Sequence, residues 1–337
     1  ETGVTMVDAL FPLGKGQRQL LLGPTSSGKT TFIRDVIINQ KGKDVICVYT
    51  AVGKPLSFVE RFARSIFSDG ADAYTIIIAA LAEDSSPMVS LAPSMGFMVA
   101  EYFKNQGKSV LLVLDDLGTH AKYLREKALL MGRIPGRQSY PGDIFYEHAH
   151  ALERAGNFNK KAGGGSITVF PVIETDMENF TDLIPTNLMA TTDGHFFFSP
   201  SLRAAGAYPA IVIERSVTRV GRQTQGTLQK ELAMRIIALL AEYSKQEEYI
   251  RFGTNVSAKT QDVLKQGEIA HELLKQDPSQ NIDLSIQTAL FGLIFTSFLL
   301  NRDTSFVRAF KSRIIEMLRD HPELEKIRTG VTKVVSL

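Results

Sequence analysis

The sequence predicts an α/β fold with a mostly parallel sheet, followed by an all-α domain. Three observations carry this reading. Apolar runs of strand length alternate with stretches of helical spacing over most of residues 20–172. One of those runs passes through a glycine-bounded loop straight into a helix. Beyond residue 225 the pattern is helical only, which sets the expected domains at 1–225 and 226–337.

The loop is Gly23-Pro24-Thr25-Ser26-Ser27-Gly28-Lys29-Thr30, which fits G-x-x-x-x-G-K-[ST]. The chance of such a match in a chain of this size is on the order of one in a hundred. Leu20, Leu21 and Leu22 enter it as a buried strand, and 31–38 leaves it as a helix. A strand, loop and helix start in this order turn free backbone N–H groups toward a polyphosphate. Gly23, Ser26, Ser27, Gly28 and Thr31 supply the cradle, Lys29 reaches the outer phosphates, and the Thr30 hydroxyl is a metal ligand.

The remaining elements follow in order. Residues 44–50 and 74–80 read as strands, with a helix at 56–67 carrying Phe58, Val59, Phe62 and Ile66 on one side. A methionine-rich helix, 87–105, precedes the strand 109–116, which ends in Asp115 and Asp116. Strands apolar throughout imply a parallel sheet covered on both faces. A carboxylate closing such a strand, downstream of a phosphate loop, is the expected Mg²⁺ ligand, here Asp115. A helix at 118–133 and another ending at 154 flank a turn-rich stretch, and Gly163, Gly164 and Gly165 precede the strand 166–172. Short strands are expected at 188–190, 195–198 and 210–213. In the helical part, Leu228, Leu232, Ile236, Leu240 and Tyr243 share one face, and single helices are expected at 282–300 and 306–318. Arg308, Lys311 and Arg319 are expected outward and solvated.

The totals exclude several classes. With 337 residues, 44% hydrophobic and 22% charged, the chain suits two ordinary globular domains. A net charge of +2 argues against a general polyanion-binding surface, and no basic or aromatic channel motif speaks for nucleic acid. The single cysteine, Cys47, rules out an intrachain disulfide, lies in an apolar run and suits a reducing compartment. The longest apolar stretch, 289–300, is shorter than the ~18–20 residues that cross a bilayer, so no membrane insertion is expected. The chain opens at Glu1, and residues upstream are expected to have been removed or left out.

Several segments carry a resemblance. They are residues 1–10, Gly14-Lys15-Gly16-Gln17-Arg18, Tyr140-Pro141-Gly142-Asp143, Leu152-Glu153-Arg154, Gly163-Gly164-Gly165-Ser166, Pro171-Val172-Ile173-Glu174-Thr175, Ile184-Pro185-Thr186-Asn187, Thr192-Asp193-Gly194 and Ser216-Val217-Thr218-Arg219-Val220-Gly221. Together they resemble the alpha subunits of the catalytic heads of F-type rotary ATP synthases. The resemblance implies a RecA-like P-loop NTPase domain that binds ATP or ADP with Mg²⁺. It also implies a catalytic beta-type partner alternating in a hexamer, a central gamma-type stalk, and a peripheral place on the cytoplasmic side of an energy-coupling membrane (matrix or stroma in an organelle). The family's N-terminal β-barrel is missing, so the chain is either a fragment or a version without it.

The resemblance also assigns residues. Arg219 matches the arginine that reaches into the neighbouring catalytic site, a role suited to a planar guanidinium. Tyr208-Pro209 stands where the family has Arg-Pro beside the base, and Tyr208 either stacks there or packs. Gln276 matches a glutamine near the adenine. Lys54 stands where catalytic subunits carry a glutamate and alpha subunits a glutamine. An ammonium cannot accept the proton of an attacking water, so the chain is read as nucleotide-binding and non-catalytic. Lys54 either attracts a γ-phosphate or is a surface lysine in a loop. The alternatives are an F-type-like ATPase adapted to another motion and a self-sufficient homohexameric P-loop ATPase.

Overall fold

In the computed structural model, residues 1–176, 181–251, 258–278, 280–300 and 302–328 are described. The protein forms two compact units: Leu13–Gly221, and Glu1–Pro12 together with Arg222–Leu337. The sequence reading kept residues 1–12 with the α/β part. Their contacts group them with the helices instead: Val4, Val7, Leu10 and Phe11 are buried, and three glutamine amides stitch the segment in place. Gln225 Nε2 donates to Ala9 O at 2.9 Å, and Gln276 Nε2 donates to Gly3 O at 2.8 Å while its Oε1 accepts from Thr5 N at 2.7 Å. Gln287 reaches Asp8, the buried carboxylate of helix α1 (Thr5–Leu10), whose oxygens already hold Thr2 and Gly3.

The α/β unit grows from strands apolar on both faces. In sequence order they are β1 (Gln19–Gly23), β2 (Val45–Lys54), β3 (Thr75–Leu81), β4 (Ser109–Asp115), the short β5 (Gly156–Asn157), β6 (Ser166–Glu174), β7 (Gly194–Phe197) and β8 (Val217–Thr218). They form one sheet in the order β3-β2-β4-β6-β1-β7-β8, with β5 on β6. Every pairing from β3 to β7 along this path is parallel; β5 and β8 pair antiparallel. This α/β architecture, mostly parallel and followed by helices, is the one the sequence predicts.

Helices α2 (Lys29–Ile38), α3 (Leu56–Phe67), α4 (Ser86–Asn105), α5 (Leu117–Leu130), α6 (Ile144–Leu152), α7 (Leu183–Thr191) and α8 (Pro200–Ala204) connect the strands. Phe32 pins α2 to the sheet: fully buried, it packs on Phe170, Phe196 and Phe198 with ring centroids 5.5–6.2 Å apart. Cys47 is buried in β2, and burial raises its thiol. The glycine run packs tightly: a Cβ on Gly165 would come 2.4 Å from Lys108 O and 2.5 Å from Lys104 O.

Two expected strands fail. Residues 188–190 lie inside α7, where Ile184 and Leu188 bury one helical face at i, i+4; three apolar residues are too few to display a period. Of 210–213, only Ile211 bridges, to Phe198, before a 3₁₀ turn at Ile213–Arg215.

The helical unit contains α9 (Thr227–Arg251), α10 (Ala258–Leu274), α11 (Leu284–Ile294), α12 (Ser297–Leu300), α13 (Thr304–Arg319) and α14 (Leu324–Arg328). The helix expected over 282–300 is two. After Gly292 the bonds tighten to i→i+3, Phe295 N to Gly292 O and Thr296 N to Leu293 O, and the Thr296 hydroxyl takes Leu293 O at 2.7 Å. Lys311 is not outward. Its ammonium donates to the carbonyls of Glu272, Leu273 and Lys275 at the C-terminus of α10, where unpaired carbonyls favour a cation. Burial pulls it down to about 8. Arg308 stays exposed but binds Glu272 at 3.1 Å.

Two measurements test this core. Phe32→Ala should lower stability by about 3–5 kcal/mol in urea unfolding, since a buried ring leaves a cavity behind. His120 and His148 lie ring to ring, Nδ1 to Nε2 at 3.5 Å, and burial holds them down to about 4 and about 3. The unfolded protein, with an ordinary histidine near 6.5, therefore takes up protons first as pH falls. Stability should drop between about pH 6.5 and pH 3, by roughly 3 kcal/mol or more per histidine, and less in a His120→Asn/His148→Gln variant.

Candidate functional site

Parallel pairing brings four strand ends to one side of the sheet. Gly23 ends β1, Glu174 ends β6, Asp115 ends β4 and Lys54 ends β2, and these four strands are consecutive neighbours. Register sets them side by side: Gly23 opposes Glu174, and Asp115 opposes Ala51, three residues before Lys54. Crevices beyond the carboxyl ends of parallel strands are where α/β sheets bind ligands.

The loop from Gly23 to Thr30 closes on itself. A Cβ on Gly23 would lie 2.4 Å from Phe198 O, so only glycine lets the loop pass that strand. Gly28 adopts φ 103°, the left-handed region open to glycine, and turns the backbone into α2. The first ladder bond of α2 joins Phe32 N to Gly28 O at 3.0 Å, which leaves the amides of Lys29, Thr30 and Thr31 ahead of it. Ser26 is exposed with φ 62°, while Ser27 is buried. Lys29 is buried; its ammonium donates to Gly23 O at 2.6 Å and Pro24 O at 2.7 Å. Burial lowers its pKa, against the pull of Glu174 and Asp115.

Lys54 is neither a loop lysine nor an open cation. A bulge between Val52 and Lys54 re-aims the end of β2, and Gly53 sits there with φ 64°. Lys54 Nζ lies 2.9 Å from Asp115 Oδ1, 3.0 Å from Asp116 Oδ2 and 3.7 Å from Glu174 Oε1. Burial works against the charge, but Asp115 and Asp116 outweigh it and hold Lys54 above the ordinary lysine range. It is an ammonium at any physiological pH.

The carboxylates have further donors. Tyr49 hydroxyl binds Asp115 Oδ2 at 2.5 Å. Asp116 caps α5, accepting Thr119 N at 2.5 Å and Thr119 Oγ1 at 3.0 Å. Thr25 of the loop donates to Glu174 Oε2 at 3.2 Å. Thr30 and Asp115 were the expected Mg²⁺ ligands. Thr30 is half-buried at the start of α2, but both Asp115 oxygens are already bonded and its charge is matched by Lys54. Among the described residues, no group of three or more His, Cys, Asp or Glu side chains is disposed to hold a metal. This donor set does not fit a divalent ion on Asp115.

Arg219 is exposed just after β8, its N–H on Asp193 O at 2.9 Å. Asp193 itself holds Arg18 through three bonds, Nη2 to Oδ1 at 2.7 Å, and Nε and the backbone N–H to Oδ2 at 3.0 and 2.9 Å. Tyr208 packs: its ring is buried and its hydroxyl donates to the buried Asp35 of α2. Pro209 is buried beside it. Gln276 belongs to the helical unit, and both of its amide hydrogens are spent, on Gly3 O and Gln280 O. The Tyr208 hydroxyl and both Gln276 amide hydrogens are thus engaged within the protein. The sequence reading missed Tyr49, Glu174 and Arg203 as site residues. Arg203 Nη1 would lie 3.1 Å from a Cβ placed on Gly28, so a second cation borders the loop. Nothing local announces these side chains; only the sheet order does.

Residues 3–218 match the nucleotide-binding domain model of the ATP synthase alpha/beta family, and residues 225–333 match the model for the C-terminal domain of the same family. The protein is 40% identical over 318 residues to the mitochondrial ATP synthase subunit alpha of Dictyostelium citrinum, a match that covers 94% of its own length and 61% of that relative's. It is 39% identical over 321 residues to ATP synthase subunit alpha of Clostridium botulinum, covering 95% and 64%. With ATP synthase subunit alpha 1 of Mycoplasmopsis pulmonis it shares 39% over 348 residues, covering 99% and 66%. It thus spans between 61% and 66% of the length of these relatives. Sheet order, phosphate loop and both domain matches agree: the chain belongs to the ATP synthase alpha/beta family.

Proposed function

We propose that the protein is a nucleotide-binding, non-catalytic alpha-type subunit of an F-type ATPase head. The observation that carries this is Lys54, ion-paired with Asp115 and Asp116 where hydrolysis requires a proton acceptor. An ammonium has no lone pair with which to orient and polarise an attacking water. The buried carboxylates beside it are tied to that ammonium, to Tyr49 and to Thr119, and so make poor bases. ATP or ADP is held by the loop amides and by Lys29, which exchanges the carbonyls of Gly23 and Pro24 for phosphate oxygens.

Chemistry then belongs to a neighbouring catalytic beta-type subunit in an alternating ring around a gamma-type stalk. Arg219 is exposed on the α/β unit and serves as the guanidinium that enters the neighbour's site. Among the described residues, no helix is long and apolar enough to cross a membrane. The proposed place is peripheral, on the cytoplasmic side of the membrane or its matrix or stromal equivalent, a reading that family membership supports.

The purified protein should bind ATP and turn it over barely, if at all. Lys29→Ala should weaken binding at least about 100-fold, near 3 kcal/mol, by titration calorimetry. Steady turnover by the pure protein, lost in Lys29→Ala, would refute the non-catalytic assignment.

Arg219→Ala should leave the nucleotide affinity of this subunit within about twofold, because the side chain acts elsewhere. Reconstituted with a catalytic partner, it should cut turnover by roughly 10³–10⁵, and Arg219→Lys should restore little, lacking the planar fork. A normally assembled Arg219→Ala complex running at the wild-type rate removes Arg219 from the mechanism.

A further inference from the structure

We propose that Lys54 is a built-in cation that takes the place of a divalent metal, so that this protein binds nucleoside triphosphate without requiring Mg²⁺. The inference rests on the nucleotide-binding reading and goes beyond it. Three carboxylates gather at the strand ends beside the phosphate loop, and one ammonium with three hydrogens faces all of them, at 2.9, 3.0 and 3.7 Å. The inner part of the cluster is enclosed: side-chain exposure is 12% for Lys54, 4% for Asp115 and 3% for Asp116, while Glu174 at 43% forms the open rim. Buried carboxylates require a cation, and here the protein supplies its own.

The backbone is built for this contact. The bulge at the end of β2 turns Lys54 to the carboxylates, and a Cβ on Gly53 would come 2.7 Å from Thr119 Cγ2 and 2.9 Å from Tyr123 Cε2. Thr119 in turn fixes Asp116, and Tyr49 fixes Asp115, so each carboxylate is also held by a donor other than the ammonium. Glu174 joins this cluster to the loop through Thr25. A divalent ion entering at Asp115 must displace Lys54 or sit against a like charge, and both oppose its binding.

Removing the ammonium should create the metal site that it fills. Lys54→Gln leaves Asp115 and Asp116 buried without a cation, a state that Mg²⁺ relieves. The test measures ATP affinity of the purified protein by calorimetry, in excess Mg²⁺ and in excess EDTA. Wild type should change by less than about fivefold between the two. Lys54→Gln should bind at least about tenfold more tightly with Mg²⁺ than with EDTA, and Mg²⁺ alone should raise its thermal midpoint while leaving that of wild type unmoved.

The wild-type comparison decides even where the variant fails to fold. A wild-type affinity that falls more than fivefold in EDTA overturns the inference and leaves the nucleotide-binding reading intact. No ATP binding in either condition, by a protein with a cooperative unfolding transition, overturns both. A folded Lys54→Gln indifferent to Mg²⁺ in both readouts overturns the claim that the ammonium stands in for the metal.

Discussion

The parallel register of β2, β4, β6 and β1 is the constraint from which the site follows. In a parallel sheet each strand must be re-entered from the same end, so every C-terminus faces one crevice and every connection crosses a face. Neighbouring strands lie about 4.8 Å apart, close enough for side chains at adjacent ends to meet. Lys54, Asp115, Glu174 and Gly23 are distant in sequence yet occupy four successive positions along that edge. The phosphate loop is steered by the same constraint. Phe198, just beyond β7, limits residue 23 to glycine, and Phe32 wedges α2 among rings from β6 and β7.

Charge is the second theme. A buried ion pair is stabilising only when its Coulomb attraction and its hydrogen bonds offset the loss of hydration. The cluster at Lys54 meets this through tyrosine and threonine donors that satisfy the remaining lone pairs of Asp115 and Asp116. The same pairing removes these groups from acid–base work. A fixed ammonium and two engaged carboxylates form a polar cluster beside the phosphate loop. The phosphate loop and this ion-paired cluster thus lie side by side at the same strand ends.

The helical unit shows a different economy. Its first twelve residues are far in sequence from α10 and α11, and polar bonds fasten them alongside the buried Val4, Val7, Leu10 and Phe11. The family resemblance puts Gln276 near the base, and the structure uses both of its amide hydrogens internally. A buried amide left unsatisfied is expensive, which fixes such residues in place.

What the sequence determined by itself was local. The phosphate loop, the apolar strands, the turn to helix at about residue 225 and the solitary buried cysteine are all legible within windows of a dozen residues, because backbone geometry and hydrophobic period act at that range. Short or interrupted signals were ambiguous: Leu188-Met189-Ala190 shows no period alone, and Thr296 ends a helix that hydropathy would continue. Pairings across the fold were decided only by tertiary structure. Lys311 reached a helix terminus that no sequence window contains, Tyr208 turned inward to Asp35, and Lys54 found Asp115, Asp116 and Glu174. The physical reason is common to all three: a charge or a buried hydroxyl takes whichever partner the sheet order and helix packing bring within reach, and that order is a property of the whole protein.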